Sequence, residues 1–158
     1  MSKPENIKKR LLHTIVAAAI FGGQFFSGGL TGAAMANQDL VIKTDEITST
    51  AKFYPVDVEG VSLEVIAVRA PDGSIRTAFN TCQVCYDSGR GYYIQDGNAL
   101  VCQNCGNRYR LEQIETASRG CNPVPIFKDS KTVTDASITI SYDFLKKAKI
   151  IFSNWKSE

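Results

Sequence analysis

Histidine is almost missing from this sequence: the single copy, His13, lies near the N-terminus, and residues 37–158 have none. A chain body without imidazole has no Ser-His-Asp or Cys-His nucleophilic machinery and no histidine-containing metal site. Excess charge is missing too. The formal net charge is +2 over 158 residues, and Lys3, Lys8, Lys9 and Arg10 against Glu5 place +3 of it in residues 1–36. The remainder is near −1, without the basic face that neutralises phosphates, so no nucleic acid is expected as a partner. No carboxylate pair, phosphate-cradling loop or nucleophile motif stands out, and Gly89-Arg90-Gly91 is too short to count as one. Internal repeats beyond two cysteine hairpins are also lacking, as are low-complexity segments. What remains is a globular composition, 44% hydrophobic and 22% charged, of about one domain. It contains five cysteines.

The N-terminal 36 residues differ from the rest. Met1 to Arg10 is a basic head, and Leu11 to Gln38 has no charged residue, opening with an apolar stretch from Leu11 to Phe21. Ala34-Met35-Ala36 closes it. Basic head, apolar middle and small-residue exit form an export signal over residues 1–36. The alternative is an uncleaved membrane anchor through residues 11–36, since roughly 20 apolar residues span a bilayer. Glycines 22, 23, 28, 29 and 32 and the polar Asn37-Gln38-Asp39 that follows favour cleavage. In either case the positive end stays inside and the body lies outside the cytoplasm. Secretion and anchoring at the outer face of the membrane both satisfy this.

Residues 37–50 read as a polar tether or an edge strand, and residues 51–158 as the folded domain. Ala51 to Val58 looks extended, with Pro55 favouring an edge. From Val61 to Val68, Leu63, Val65 and Ala67 fall on one face, with Ser62, Glu64 and Ile66 on the other. Pro71-Asp72-Gly73-Ser74 marks a turn, and Ile75 to Phe79 the returning strand. The pattern repeats with Gly91 to Ile94, the turn Gln95-Asp96-Gly97-Asn98, and Ala99 to Val101; Asp-Gly between β-prone runs is a strong hairpin signal. Ile138-Thr139-Ile140 alternates, after which Phe144, Leu145, Ala148, Ile151 and Phe152 fall at helical spacing. The expected fold is mainly β (small α+β), an antiparallel sheet with two cysteine-knuckle hairpins and a C-terminal helix packed on it.

Cys82-Gln83-Val84-Cys85 and Cys102-Gln103-Asn104-Cys105 are two CxxC pairs with sixteen residues between them, and fifteen residues separate Cys105 from Cys121. Two intervening residues form a tight knuckle that aims both sulfurs at one point and turns backbone N–H groups toward them. A hairpin between two knuckles then brings Cys82, Cys85, Cys102 and Cys105 into a tetrahedron suited to zinc or iron. Disulfides are the alternative in an oxidising compartment. Five is an odd number, however, and a bridge within one CxxC closes too small a loop to constrain the unfolded chain. Thiol–disulfide exchange needs a CxxC opening a helix beside a βαβ unit, which neither pair has.

The stretch from Ala78 to Cys85, Gly91-Tyr92-Tyr93, Val101 to Tyr109 and Gly120-Cys121-Asn122-Pro123-Val124-Pro125 resembles the FtrD-like membrane iron–sulfur proteins, associated with bacterial iron transport. The likeness covers roughly residues 50–155. It implies a metal or iron–sulfur centre outside the cytoplasm, serving electron transfer beside a membrane iron permease or another redox partner. Cys102-x-x-Cys105-Gly106-x-x-Tyr109 and Arg119 to Ile126 also resemble the second ligand loop and proline loop of Rieske-type domains. Two CxxC pairs stand where those domains carry Cys-x-His and Cys-x-x-His, so the likeness implies a Rieske/rubredoxin-like β architecture without Rieske ligation.

Cys121, in a rigid Gly-Cys-Asn-Pro turn, is a candidate fifth or exchanging ligand, a redox-sensitive thiol, or a small buried residue. Arg90, Arg108, Arg110 and Arg119 flank the cysteines and would offset the −2 charge of four thiolates around zinc or an oxidised [2Fe–2S] core. Ordinary solvated charge is the alternative for them. Tyr92, Tyr93 and Tyr109 either shield the centre, relay electrons, or pack the sheet. Two functions thus stand for this sequence: an electron carrier with an iron–sulfur cofactor, favoured over an enzyme though catalysis stays open, or a zinc-stabilised partner-binding module. A thiol–disulfide oxidoreductase ranks third.

Overall fold

A computed structural model describes residues 35–36, 38–116 and 120–157. Apart from Met35–Ala36, the signal or anchor segment lies outside the described residues, as does Arg119. Among them, eleven strands and one α-helix follow in order: β1 (Met35–Ala36), β2 (Leu40–Lys43), β3 (Lys52–Val58), β4 (Val61–Arg69), β5 (Ile75–Cys82), β6 (Tyr93–Asp96), β7 (Ala99–Cys102), β8 (Arg108–Arg110), β9 (Pro123–Pro125), β10 (Thr132–Val133), β11 (Ser137–Ile140) and α1 (Tyr142–Lys147). The chain is mainly β, in sheets of order β1-β3-β4-β5-β9, β10-β11-β2 and β6-β7-β8. Except for the short parallel β1–β3 pair, every pairing is antiparallel.

The five-stranded sheet is buried on both faces. Strand alternation sends Val56, Leu63, Val65, Ala67 and Phe79 to one side, where they pack with Leu40, Ile42, Ile138 and Ile140 of the β2–β11 sheet and with Leu145, Phe152 and Trp155. Ile66, Val68, Ala78 and Cys82 point the other way, into a second core shared with Tyr93, Leu100, Cys102, Leu111 and Ile114. Ile66, expected among polar neighbours, is therefore fully buried. An alternating strand read alone shows one apolar face; here a second layer covers the other.

Both expected turns are present. Gly73 (φ +83°) closes the β4–β5 turn through Gly73 N–H to Ala70 O at 2.9 Å, and Gly97 (φ +61°) sits in the two-residue turn between Asp96 and Ala99. In the stretch read as tether or edge strand, Leu40–Lys43 is an edge strand paired with β11. The C-terminal helix is shorter than its periodicity predicts. Ser141 caps α1 by accepting from Phe144 N–H, and the chain tightens after Lys147 into a 3-10 turn, Lys149–Phe152. That turn swings Phe152 onto Phe79 (centroids 5.6 Å apart) and against Trp155 (5.2 Å). The last residues return to the loop behind the first knuckle: Gly89 N–H donates to Asn154 O (2.7 Å), and Ser157 N–H to Gly89 O (2.8 Å).

Candidate metal centre

Each knuckle starts on the last residue of a strand. Cys82 ends β5 and Cys102 ends β7, so the sheet ladders fix the first sulfur of each pair. Gly91 O accepts from Cys82 N–H at 2.6 Å, and Tyr92 O accepts from Gln103 N–H at 2.9 Å, so a single segment touches both knuckles. Gly106, at φ +72°, closes the second knuckle by donating to Cys102 O at 2.9 Å. Close approach also explains Gly91, where a Cβ would collide with the Cys85 carbonyl.

The sulfurs of Cys82, Cys85 and Cys102 lie within 4.8 Å of one another, and those of Cys85, Cys105 and Cys121 do likewise. Cys85 belongs to both triads, so all five thiols form one contiguous group. Cys82, Cys85 and Cys102 are buried, Cys121 is half-buried and Cys105 is exposed. The group thus has a sealed floor and an open lip. Cys121 is brought there by Asn107 Nδ2, which donates to Cys121 O at 2.6 Å, and by Gln83 N–H, which donates to Asn122 O at 3.0 Å.

Electrostatics differ from sulfur to sulfur. Burial pushes the Cys82 thiol up, but the Tyr93 hydroxyl, the N–H groups of Cys85 and Val84 and the Cys85 thiol together bring it below its ordinary value. For Cys105 burial is likewise outweighed, first by Asn107 N–H and then by the Cys102, Cys121 and Cys85 thiols. Burial dominates at Cys85 and raises it, although the Asn104 side chain opposes the rise. Cys102 is pushed up to about 12, chiefly by burial. Cys121 also reaches about 12, chiefly through its contact with Cys105. One sulfur in each knuckle is therefore prepared to carry negative charge.

An all-thiol donor set with backbone N–H groups turned toward it suits a soft metal, zinc or iron–sulfur. A second observation points the same way. The Tyr93 hydroxyl is buried against Cys82 and, among the described residues, has no partner at hydrogen-bond geometry. Buried polar groups are nearly always paired, and a metal-bound Cys82 thiolate is the acceptor this one lacks.

Of the flanking arginines, the three among the described residues have partners other than the sulfurs. Arg108 pairs with Asp96 at 2.5 Å and Arg110 with Glu112, while Arg90 is exposed and its backbone forms an isolated antiparallel β-bridge with Lys156. Tyr92 stacks edge-on against Trp155 with Lys156 Nζ 5.1 Å above its ring, and Tyr109 lines the second core. Sequence reasoning missed Asn104, Asn107 and Asn122, whose side chains and backbone knit the knuckle tips together. Their positions in Cys-x-Asn-Cys-Gly-Asn and Gly-Cys-Asn-Pro were the available signal, since asparagine in turns offers side-chain donors and acceptors.

Among known families, the one described as "Membrane iron-sulfur containing protein FtrD-like" matches residues 40–152. No curated protein and no solved structure matches the chain.

Proposed function

The chain belongs to the FtrD-like family of membrane iron–sulfur proteins, and from that membership we propose that it is an extracytoplasmic electron carrier. Cys82, Cys85, Cys102 and Cys105 hold its iron–sulfur centre, and Cys121 covers the lip beside Cys105. The observation that carries this reading is the graded burial of the thiols: three sulfurs sealed in a core and one at the surface. Bound there, an iron–sulfur centre supplies one-electron transfer.

The chain's own residues give that chemistry its setting. Val84 and Cys85 N–H groups donate to Cys82, and Asn104 and Cys105 N–H groups donate to Cys102. Donors aimed at the sulfurs stabilise thiolate charge and raise a reduction potential. Leu100, Leu111, Ile114 and Tyr93 keep water from the floor. The lip at Cys105 offers the short path a redox partner needs. The partner we propose is a membrane iron permease or a redox protein beside it, consistent with the membrane character of the family. The basic head and uncharged run of residues 1–38 support export of the domain. Added protease should degrade it in cells stripped of their outer envelope; protection until the inner membrane is broken would overturn that location.

A second reading has its own observation. The triad of Cys82, Cys85 and Cys102 draws thiols from both knuckles to within 4.8 Å of one another, and a tetrahedron with 2.3 Å metal–sulfur bonds has an edge of about 3.8 Å. A single zinc would then lend folding energy to a partner-binding module. Anaerobic purification decides between them. Visible bands that bleach on dithionite addition, with iron and sulfide in the protein, are expected of the carrier. A colourless protein with one tightly held zinc overturns it in favour of the module, and a metal-free, disulfide-bonded protein overturns both.

A further inference from the structure

We propose that the Tyr93 hydroxyl is a donor reserved for the Cys82 thiolate, bonding it when the centre is loaded and thereby strengthening metal binding and raising the reduction potential. The proposal rests on the metal-centre reading above and names a residue that controls it.

The geometry leaves this hydroxyl little choice. Tyr93 is 1% exposed, and its oxygen has no partner at hydrogen-bond geometry among the described residues. Two clamps fix it in place. Asn80 Oδ1 accepts from Tyr93 N–H at 2.8 Å, and Gly91 O accepts from Cys82 N–H at 2.6 Å, which holds the Gly91–Tyr93 segment along the Asn80–Cys82 stretch. Asn80 is itself oriented by Glu64, whose Oε1 accepts from Asn80 Nδ2 at 2.6 Å. Across the hairpin, Tyr93 pairs with Cys102. The ring is wedged between the first cysteines of the two knuckles, and its oxygen faces Cys82.

A neutral thiol is a weak acceptor, whereas a thiolate takes a charge-assisted hydrogen bond. Metal ligation deprotonates cysteine. The donor is therefore unspent in the metal-free protein and spent in the loaded one. Reduction adds electron density to the sulfurs and strengthens the bond further, so the hydroxyl favours the reduced state.

The test compares the full chain with Tyr93→Phe, which keeps the ring and removes only the hydroxyl, and with Tyr93→Leu, which removes both. Cobalt(II) ions alone serve as the first probe, and anaerobic iron and sulfide as the second. Without metal, Tyr93→Phe is expected to be at least as stable as the parent. With cobalt, its affinity falls about tenfold, the low end for loss of a ligand's hydrogen-bond partner. Its thiolate-to-cobalt band moves to lower energy, and the potential of the iron-loaded protein moves negative. Tyr93→Leu loses stability with and without metal. If the parent takes up metal but Tyr93→Phe matches it in affinity, spectrum and potential, the hydroxyl only packs and the proposal falls alone. If the parent takes up neither cobalt nor iron, both this proposal and the metal reading fall.

Discussion

Exposure and position give the five thiols unequal roles. Cys82→Ser removes a buried sulfur fixed by the end of β5, and the expected result is loss of bound metal. Cys121→Ser changes a half-buried thiol outside the proposed ligand set and should leave the metal-to-protein ratio unchanged; elemental analysis of both variants checks this. Gly91 is equally exacting. Gly91→Ala would drive a methyl group into the Cys85 carbonyl, costing about 2 kcal/mol as other overpacked sites do and displacing the first knuckle. Urea unfolding and metal content should fall together. At the opposite end of β5, the Asp72 carboxyl is held at about 2 rather than 3.8, by the Ser74 hydroxyl and N–H and then by Arg76. Because the folded value is the lower one, its support of the turn is complete above about pH 4 and disappears as the pH falls toward 2. An NMR titration should place its midpoint near 2, and Ser74→Ala should move it back toward 3.8.

Among the elements, one of the ties that hold the chain after the cysteine hairpin to the rest of the fold is a buried ion pair. Lys131 Nζ reaches Glu115 Oε2 at 2.6 Å, with side chains only 4% and 12% exposed, and also Thr77 Oγ1 at 2.7 Å. Glu115 stands at φ +66° and accepts from Thr77 N–H at 3.0 Å, tying the chain after β8 to β5. Glu115→Ala leaves the ammonium without its counter-charge in a buried setting, and about 3 kcal/mol of stability should be lost. A lower urea midpoint at unchanged slope would show it. Nothing local announces this pair. Glu115 and Lys131 belong to no motif of the sequence, and a left-handed glutamate gives no sequence signal. Hairpins and knuckles were legible because their cause is local: Asp-Gly turns, alternating strands, and CxxC before Gly106. Cys121 is already a candidate from its rigid turn, and its sulfur joins the group, but burial of Ile66 and the early end of α1 were not legible. Each depends on what packs across from it.

On the scale of the whole molecule, the two cores hold different kinds of structure. The β6–β8 sheet has only short strands, and its second core is shared with cysteine side chains. The five-stranded sheet has a larger apolar core on its other face. Metal removal should therefore loosen one layer before the other. Hydrogen exchange is expected to show amides of Tyr93–Asp96 and Ala99–Cys102 losing protection on chelation while those of β4 keep theirs; equal loss in both would mean that the layers unfold as one. The placement of Trp155 bears on how such an opening can be observed. It is the sole tryptophan of the chain, and it belongs to the core opposite the cysteines. Its ring also lies edge-on against Tyr92, whose carbonyl holds the second knuckle, so its fluorescence senses an opening of the cysteine layer as well as the melting of its own core. An emission-monitored unfolding curve would thus show two steps where the cysteine layer opens first and a single step where both layers unfold together.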